Sequence, residues 1–207
     1  MRIAFPCLRH VFADRGYARA NELRRCLAPS GPDARDFIVR VGWKALALRD
    51  ARGDPFHLIA HLATLPADAG AEEWAVQAVV GSASEPSLLP IRLIAVPLPP
   101  DKAEINRAKL KRRASKHQDT LDPRSLLAAG FMVLVTSLPA AISADEVCAA
   151  YRLRWQIELA FKRMKSLLHI DRLPTRTDAG SLSWLYAHLI LVLLTEDICQ
   201  DFLESSP

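Results

Sequence analysis

The chain has 207 residues, of which 50% are hydrophobic and 24% are charged, with a formal net charge of +4. This length suffices for one domain of good size or two small ones, and the apolar fraction excludes a disordered chain. The 8 glycines and 14 scattered prolines exclude collagen-like and low-complexity architectures.

The cysteines and the apolar stretches favour the cytoplasm. Four cysteines, at positions 7, 26, 148 and 199, form no Cys-x-x-Cys pair, so a reducing compartment is expected and a disulfide framework is not. The longest apolar stretch, Leu182 to Leu194, contains Ser183 and His188 and is too short to span a bilayer. The opening residues do not resemble a signal peptide. The isoelectric point of about 9.0 suggests a polyanionic partner.

The first fifty residues alternate between strand and helix patterns. His10 to Ala13 is a short apolar run that predicts a strand, and it leads into the turn-like sequence Asp14-Arg15-Gly16-Tyr17. Ala18 to Leu27 then carries helix formers, and Asp36 to Val41 predicts a second strand. This order is typical of a sheet covered by helices.

Residues 50–129 have a different pattern. Phe56 to Leu62, Trp74 to Val80 and Ile91 to Leu98 predict strands, which are separated by loops rich in Gly, Ser and Pro. No convincing helix lies between them, so we interpret this part as a β-rich insertion. A basic helix, Asp101 to His117, follows and is either a solvated face or a contact surface for nucleic acid.

Two histidines in this segment have the spacing of metal ligands. His57 and His61 lie four residues apart, as in a zinc pair on a helix. The predicted strand and the absence of a zincin-type Glu disfavour that role. We therefore do not expect a metal site there.

The last third of the chain predicts one strand and two helices. Phe131 to Leu138 is almost continuously apolar, which indicates a strand that is buried on both faces. Ser143-Ala144-Asp145-Glu146 is a capping box, so a helix should begin near Ala144 and continue to about His169. A final helix is expected from about Asp178 to Leu203.

The first of these helices carries a polar stripe. At about 100° per residue, Tyr151, Arg154, Glu158 and Lys165 lie within an arc of roughly 60° at the edge of the buried face. A Glu in this place can reach a metal at the rim of a sheet, and the cations beside it can bind phosphates. The alternative is a solvated face on which Glu158 pairs with Lys162, and geometry alone favours that alternative.

The spacing of the stripe changes this interpretation. Tyr151-x-x-Arg154-x-x-x-Glu158, followed by Lys165, resembles the Tyr-Arg-Glu-Lys signature of the DDE transposases of insertion-sequence family four. The sequence from Tyr151 to Leu168 and the preceding Leu-Val-Thr-Ser-Leu-Pro are also similar to that family. The resemblance implies an RNase H-like fold with an Asp-Asp-Glu metal triad, of which Glu158 is the third member.

The resemblance also points to a second acidic residue. Asp14-Arg15-Gly16-Tyr17 is similar to the Asp-Arg-Gly-aromatic motif that carries the second Asp of the family at a strand end. Asp36, Asp50 and Asp54 compete with it, but each is better explained as a loop residue. The resemblance therefore implies that Asp14 and Glu158 are catalytic and bind Mg²⁺, with Mn²⁺ as the alternative ion.

The implied partner is double-stranded DNA at the ends of an insertion sequence. By resemblance, Tyr151, Arg154 and Lys165 contact its phosphates, while Trp155 either stacks on a base or packs within the protein. A homodimer or a complementing N-terminal transposase half is a further expected partner, and a membrane is not. The expected location is the bacterial cytoplasm, at the nucleoid.

These observations predict an α/β protein with a partial RNase H-like fold that is interrupted by a β-rich insertion. Residues 1–49 are expected to form the first part of the core, residues 50–129 the insertion with its basic helix, and residues 130–207 the second part with the signature helix. The sequence thus predicts three segments, of which the outer two belong together.

The expected function is cut-and-paste DNA transposition by metal-dependent phosphodiester hydrolysis and strand transfer. The first Asp of the family lies well upstream of the second, yet only 13 residues, none of them acidic, precede Asp14. We therefore expect an N-terminally truncated transposase that is inactive by itself. The alternative is a catalytically inactive fragment that binds DNA or a transposase partner.

Overall fold

The computed structural model describes residues 10–13, 15–27, 35–82, 84–168 and 177–204. The protein is a mixed α/β structure in which six strands form one sheet. It divides into two compact units, Met1–Tyr151 and Arg152–Pro207. The strands are β1 (His10–Ala13), β2 (Asp36–Arg40), β3 (Leu48–Arg49), β4 (Glu72–Gly81), β5 (Pro86–Pro97) and β6 (Phe131–Thr136). The helices are α1 (Ala20–Leu27), α2 (Leu58–Thr64), α3 (Pro100–His117), α4 (Pro123–Ala128), α5 (Ala144–Leu168) and α6 (Asp178–Glu204).

The strand order is β1-β2-β6-β5-β4-β3. β1 and β2 are parallel, with Ala13 opposite Val39, and α1 connects them. Each of the other neighbouring pairs is antiparallel. The predicted succession of strand, helix and strand in the first fifty residues is confirmed. So are two predicted strands of the segment 50–129: Trp74 to Val80 lies in β4, and Ile91 to Leu98 lies in β5 except for Leu98.

Helices cover both faces of the sheet. Successive residues of a strand point to opposite faces, so each buried strand has side chains in two apolar clusters. Phe37 and Val39 belong to one apolar cluster, which Leu23 of α1 and Leu62 of α2 join. Ile38, between them in sequence, belongs to a second cluster with residues from the start of α5. β6 follows the same rule and has residues in both clusters. Its predicted burial on both faces is therefore confirmed.

The prediction of a strand at Phe56 to Leu62 was wrong, because this stretch leads into α2. His57 precedes the helix as its N-cap, and Leu58 and Leu62, four residues apart, are its buried residues. A short apolar run fits a buried strand and one face of a helix equally well, so periodicity could not separate the two. The ring of His61 stacks on Phe56 with centroids 4.3 Å apart, which accounts for this histidine by packing.

The sequence analysis also missed α4, although a local signal was present. Asp122 is the N-cap of this helix and accepts a hydrogen bond from the backbone N–H of Arg124 at 2.9 Å. Pro123 follows at the first helical position, where its missing N–H costs nothing. An Asp-Pro pair is therefore as good a helix start as the capping box that was recognised further along the chain.

The capping box at Ser143 is confirmed and starts α5. The backbone N–H of Ser143 donates to Oε2 of Glu146 at 2.8 Å, and the backbone N–H of Glu146 donates in return to the Ser143 hydroxyl at 3.3 Å. The Ser143 hydroxyl also donates to Oε2 of Glu146, at 2.9 Å. The backbone hydrogen bond has the larger effect and the hydroxyl the smaller, and both hold the pKa of Glu146 below its ordinary value. The helix is described to Leu168, and its predicted end at about His169 lies outside the described residues.

The helix α6 confirms the predicted last helix and carries an exposed apolar surface. It is longer than the apolar stretch noted in the sequence. Over the 18 residues Asp178–Thr195 its mean hydropathy is 1.3, and none of this window is buried. By length and composition it is the one helix, among the residues that the structure describes, that could cross a membrane. Core helices of other proteins satisfy the same two criteria.

Candidate functional site

The residues of the predicted signature lie on one continuous helix, α5. Tyr151 stands where the first unit ends, and it is only 6% exposed, in the apolar cluster with Ile38 and Leu134. Its hydroxyl oxygen is buried as well. Tyr151 therefore fastens the start of the helix to the sheet.

Arg154 and Glu158 form an ion pair on the part of α5 that belongs to the second unit. Nη1 of Arg154 donates to Oε1 of Glu158 at 2.5 Å, and the Glu158 side chain is 52% exposed. Glu158 forms an i,i+4 ion pair, as expected for a solvated face. Its partner is Arg154, four residues before it, and not Lys162, four residues after it. Glu158 and Lys165 line the same open depression, together with Lys162 and Ser166. The structure thus brings these two predicted site residues together.

Asp14, the predicted partner of Glu158, lies outside the described residues, as does the side chain of Trp155. Two of the competing aspartates have local structural roles. Asp36 is the first residue of β2 and accepts a hydrogen bond from the Ser137 hydroxyl at 2.8 Å, so it is not the loop residue that we expected. Asp50 accepts from the backbone N–H of Asp54 at 2.9 Å within a turn.

The described residues do not form a metal site by themselves. They contain no group of three or more His, Cys, Asp or Glu side chains that could hold a metal ion. The chemistry of Glu158 suits a hard cation such as Mg²⁺, because its carboxylate is half exposed and supplies oxygen ligands. One carboxylate is too few, however, so a metal at Glu158 needs further acidic ligands.

Sequence reasoning missed a basic cleft in the first unit. It has a volume of about 490 Å³, and four of its lining residues are cations: Arg15, Arg40, Lys109 and Arg113. Its other lining residues are apolar or neutral: Val41, Gly42, Trp43, Asn106, Leu110, Ser125, Ala128, Ala129, Phe131 and Val133. We call this feature the basic cleft. Since no Asp or Glu among the described residues lines it, its electrostatic field attracts anions.

The wall of the basic cleft that α3 contributes is fixed by hydrogen bonds to α4 and to the turn between α4 and β6. Asn106 donates to the carbonyl of Ala129 at 3.3 Å, and Nε of Arg107 donates to the carbonyl of Leu126 at 3.3 Å. Gly130 lets the guanidinium approach, because a Cβ at this position would lie 2.9 Å from Nη2 of Arg107. These contacts orient α3 so that Lys109 and Arg113, one turn apart, both line the cleft.

Trp43, on another wall, is held between charged neighbours. Nζ of Lys44 lies 4.6 Å and Cζ of Arg124 4.8 Å from its ring centroid. Asp122 forms ion pairs with both cations, at 3.2 and 3.0 Å. The hydrogen bonds from Arg124, and secondarily that from Lys44, hold the pKa of Asp122 well below its ordinary value. The indole Nε1 donates to the hydroxyl of Ser125 at 3.2 Å.

A partial signal for the basic cleft was present in the sequence. The basic helix was recognised, and Lys109 and Arg113 have the spacing of one helical face. Arg40 was read only as part of a strand, and Arg15 only as part of a turn motif. Their approach to α3 depends on the pairing of β2 with β6, which no local pattern encodes.

Comparison with known proteins places the chain among transposase sequences. A family model whose description is Transposase DDE domain matches residues 1–194. The transposase for insertion sequence element IS421 of Escherichia coli is 39% identical over 196 residues, which are 94% of this chain and 52% of the relative. The InsL protein of insertion sequence element IS186A of Escherichia coli (strain K12) has the same identity and coverage.

A more distant relative matches a shorter stretch. The transposase for insertion sequence element IS231F of Bacillus thuringiensis subsp. israelensis is 39% identical over 85 residues, which are 41% of this chain and 18% of the relative. No solved structure matches the chain. The chain spans about half the length of the Escherichia coli relatives.

Proposed function

Because the chain belongs to the transposase DDE domain family, we propose that it functions in cut-and-paste transposition of an insertion sequence. The reaction is metal-dependent hydrolysis of phosphodiester bonds at the element ends, followed by strand transfer. The observation that carries this proposal is the family match over residues 1–194, with the Tyr-Arg-Glu-Lys spacing of family four on a single helix. The proposed substrate is therefore double-stranded DNA at insertion-sequence ends.

We propose that the sheet is part of an RNase H-like core. The parallel unit of β1, α1 and β2 supports this assignment, because ligands of α/β folds bind at the carboxyl ends of parallel strands. In this proposal residues 1–49 and 130–207 contribute to the core, and residues 50–129 are the insertion with its basic helix. The insertion extends the sheet through the antiparallel pairing of β5 with β6.

Asp14 and Glu158 are the proposed catalytic residues and metal ligands. Asp14 follows Ala13, the last residue of β1, and so comes at the carboxyl end of a parallel strand. The proposed ion is Mg²⁺, or Mn²⁺ in its place, and when bound it activates the attacking oxygen and stabilises the leaving one. Arg154 orients Glu158 through the hydrogen bond to Oε1. Lys165 offers a cation in the same depression for a phosphate of the element end.

Tyr151 and Trp155 complete the proposed set around the signature. Since Tyr151 is buried against the sheet, we propose that it serves mainly to hold the start of α5 in place, and that Arg154 and Lys165 provide the phosphate contacts. Trp155 is proposed to stack on a base. The protein would act in the cytoplasm at the nucleoid, where its proposed substrate is found, with a second copy of the chain as a further proposed partner.

A second candidate is a DNA-binding fragment without catalytic activity. It is favoured by the lack of a metal-holding cluster among the described residues and by the ion pair that engages Glu158. In the first candidate, the third acidic ligand must come from additional polypeptide such as a complementing N-terminal half. The two candidates agree on DNA as the partner and differ on chemistry.

A cleavage assay on element-end DNA in Mg²⁺ separates these candidates. The chain is assayed alone and with the N-terminal half of a relative, next to Glu158→Gln and the matched control Glu104→Gln, an exposed acid of α3. Cleavage that requires the added half and disappears only in Glu158→Gln supports the enzyme. DNA binding without cleavage in every mixture supports the second candidate.

A further inference from the structure

We propose that the basic cleft binds the phosphodiester backbone of duplex DNA at the carboxyl end of β1 and β2. The assignment rests on the proposed function for the identity of the polyanion. It concerns residues outside the signature helix, in the first unit of the chain. The proposal requires that the cleft be cationic and that it lie at the carboxyl end of β1 and β2. It also requires that the lining residues suit the phosphates of DNA better than its bases.

The charge of the cleft favours a phosphate ligand. Among the residues that the structure describes, four cations and no carboxylate line it. Nε of Arg40 is buried and has no hydrogen-bond acceptor among the described residues. A buried N–H without an acceptor is costly. A phosphate oxygen would satisfy this donor, because Arg binds phosphates through charged and directional hydrogen bonds.

The position of the cleft places it next to the predicted catalytic residue in the chain. Arg15, which directly follows Asp14, lines the cleft, as does Arg40, the last residue of β2. β1 and β2 are parallel, so both residues belong to the carboxyl end of the pair, where Ala13 lies opposite Val39. That end is where α/β sheets bind ligands. A backbone held there would lie at the end of β1, the strand that Asp14 follows in the sequence.

The contacts of the neutral residues favour the backbone over the bases. Trp43 already contacts the cations of Lys44 and Arg124, 4.6 and 4.8 Å from its ring centroid. Asn106 and Ser125 already make hydrogen bonds to protein atoms. The cations of the lining suit phosphates, and contacts of cations with phosphates carry no sequence information.

The surroundings of the cleft favour a polymer over a small phosphate. α3 is 18 residues long, about 27 Å at 1.5 Å per residue, and extends beyond the cleft at both ends. Its exposed cations outside the lining are Lys102, Lys111, Arg112 and Lys116. Lys102 and Lys116, near the two ends of the helix and on the side of Lys109 and Arg113, extend the positive surface far beyond the length of one phosphate, as expected for a strand that passes through the cleft and along the helix.

The test uses the full chain and a fluorescent duplex of mixed sequence, with EDTA present so that binding is measured without metal chemistry. The cleft variant is Lys109→Ala with Arg113→Ala. The matched control is Lys111→Ala with Arg112→Ala, which removes the same charge from the same helix outside the cleft. All four side chains are exposed, so folding should be unaffected, and thermal unfolding of each variant verifies this. Arg40→Gln is measured in parallel.

We expect the cleft variant to bind DNA more weakly and to lower the log-log salt slope by about 1.8, since two phosphate contacts are lost at roughly 0.9 each. The control should change the slope by clearly less, and Arg40→Gln should weaken binding in the same direction as the cleft variant. Equal loss in the cleft and control pairs would overturn the proposal, because it would mean diffuse attraction to the whole helix.

Two competition experiments decide the chemical class of the ligand. Displacement of the duplex by inorganic pyrophosphate at low concentration would overturn the proposal in favour of a small-anion site, whereas weak competition supports a polymer. Single-stranded RNA that outcompetes the duplex would overturn it as well. Failure of this proposal is distinguishable from failure of the proposed function. Unchanged DNA binding in the cleft variant can coexist with DNA cleavage that depends on Glu158. Lost DNA binding in the cleft variant can coexist with a chain that cleaves no DNA.

Discussion

Nη1 of Arg154 donates a hydrogen bond to Oε1 of Glu158, which is 2.5 Å away and one turn further along α5. The Arg154 side chain is 19% exposed and the Glu158 side chain 52%. The carboxylate that we propose as a metal ligand is thus oriented by a cation. A metal ion at Glu158 would lie near this positive charge, which lowers the affinity of the site for any cation.

Arg154→Gln should therefore strengthen Mn²⁺ binding by about twofold, because exposed i,i+4 ion pairs contribute about 0.3–0.5 kcal/mol. Glu158→Gln should abolish that binding. Calorimetric or paramagnetic titration of Mn²⁺ measures both effects. Lys162→Gln is the matched control, since it removes an equal charge from the depression that Glu158 lines. Mn²⁺ affinity that is insensitive to Glu158→Gln would show that the ion binds elsewhere.

Thr136→Val should destabilise the first unit by about 1–3 kcal/mol, the usual cost of leaving buried polar groups without partners. The Thr136 side chain is fully buried, donates to the carbonyl of Phe37 at 2.7 Å and accepts from the backbone N–H of Leu138 at 3.1 Å. Urea denaturation gives the free energy of unfolding. Thr64→Val serves as the control, because the hydroxyl of this exposed residue bonds only at the surface, to the carbonyl of His61. Equal losses in the two variants would contradict the prediction.

Gly81→Ala should disrupt the turn between β4 and β5. Gly81 has a φ of +99°, and an added Cβ would meet the backbone oxygen of Glu85 at 2.5 Å, so the backbone itself has to shift. We expect a loss of about 1–3 kcal/mol in stability, as for other strained backbone positions. Gly70→Ala is the control, since nothing lies within 4 Å of a Cβ there. Thermal unfolding of both variants is the measurement, and a Gly81 variant as stable as the control would refute the strain.

Acid should weaken the start of α5 through Glu146. The folded protein lowers the pKa of this carboxyl below its ordinary value of 4.5, because the ionised form accepts hydrogen bonds from Ser143. Its stabilising effect is therefore present above about pH 4.5 and is lost as the pH falls through the lowered folded value. Glu146→Gln should flatten this part of the curve of unfolding free energy against pH. A variant with the same acid dependence as the natural chain would assign that dependence to other carboxyls, such as Asp122.

The sequence by itself determined most of the elements and the chemistry of the signature helix. The capping box, the basic helix, and the strands β4, β5 and β6 depend on periodicity and on local hydrogen bonds, which the sequence carries directly. The family resemblance rested on four residues of one helix, whose spacing is also local. The strand predicted at Phe56 to Leu62 failed because α2 is chosen by burial of Leu58 and Leu62 against the sheet, and burial is not a local property.

Only the tertiary structure decided which residues meet. Tyr151 and Arg154 are three residues apart on α5, yet the structure buries the first against Ile38 and Leu134 and pairs the second with Glu158. The basic cleft joins Arg15, Arg40 and Lys109, which are up to 94 residues apart in the chain. Such contacts follow from strand pairing and from the packing of helices on both faces of the sheet. The free energy of that packing depends on apolar surface gathered from the whole chain, so no local window of the sequence contains it.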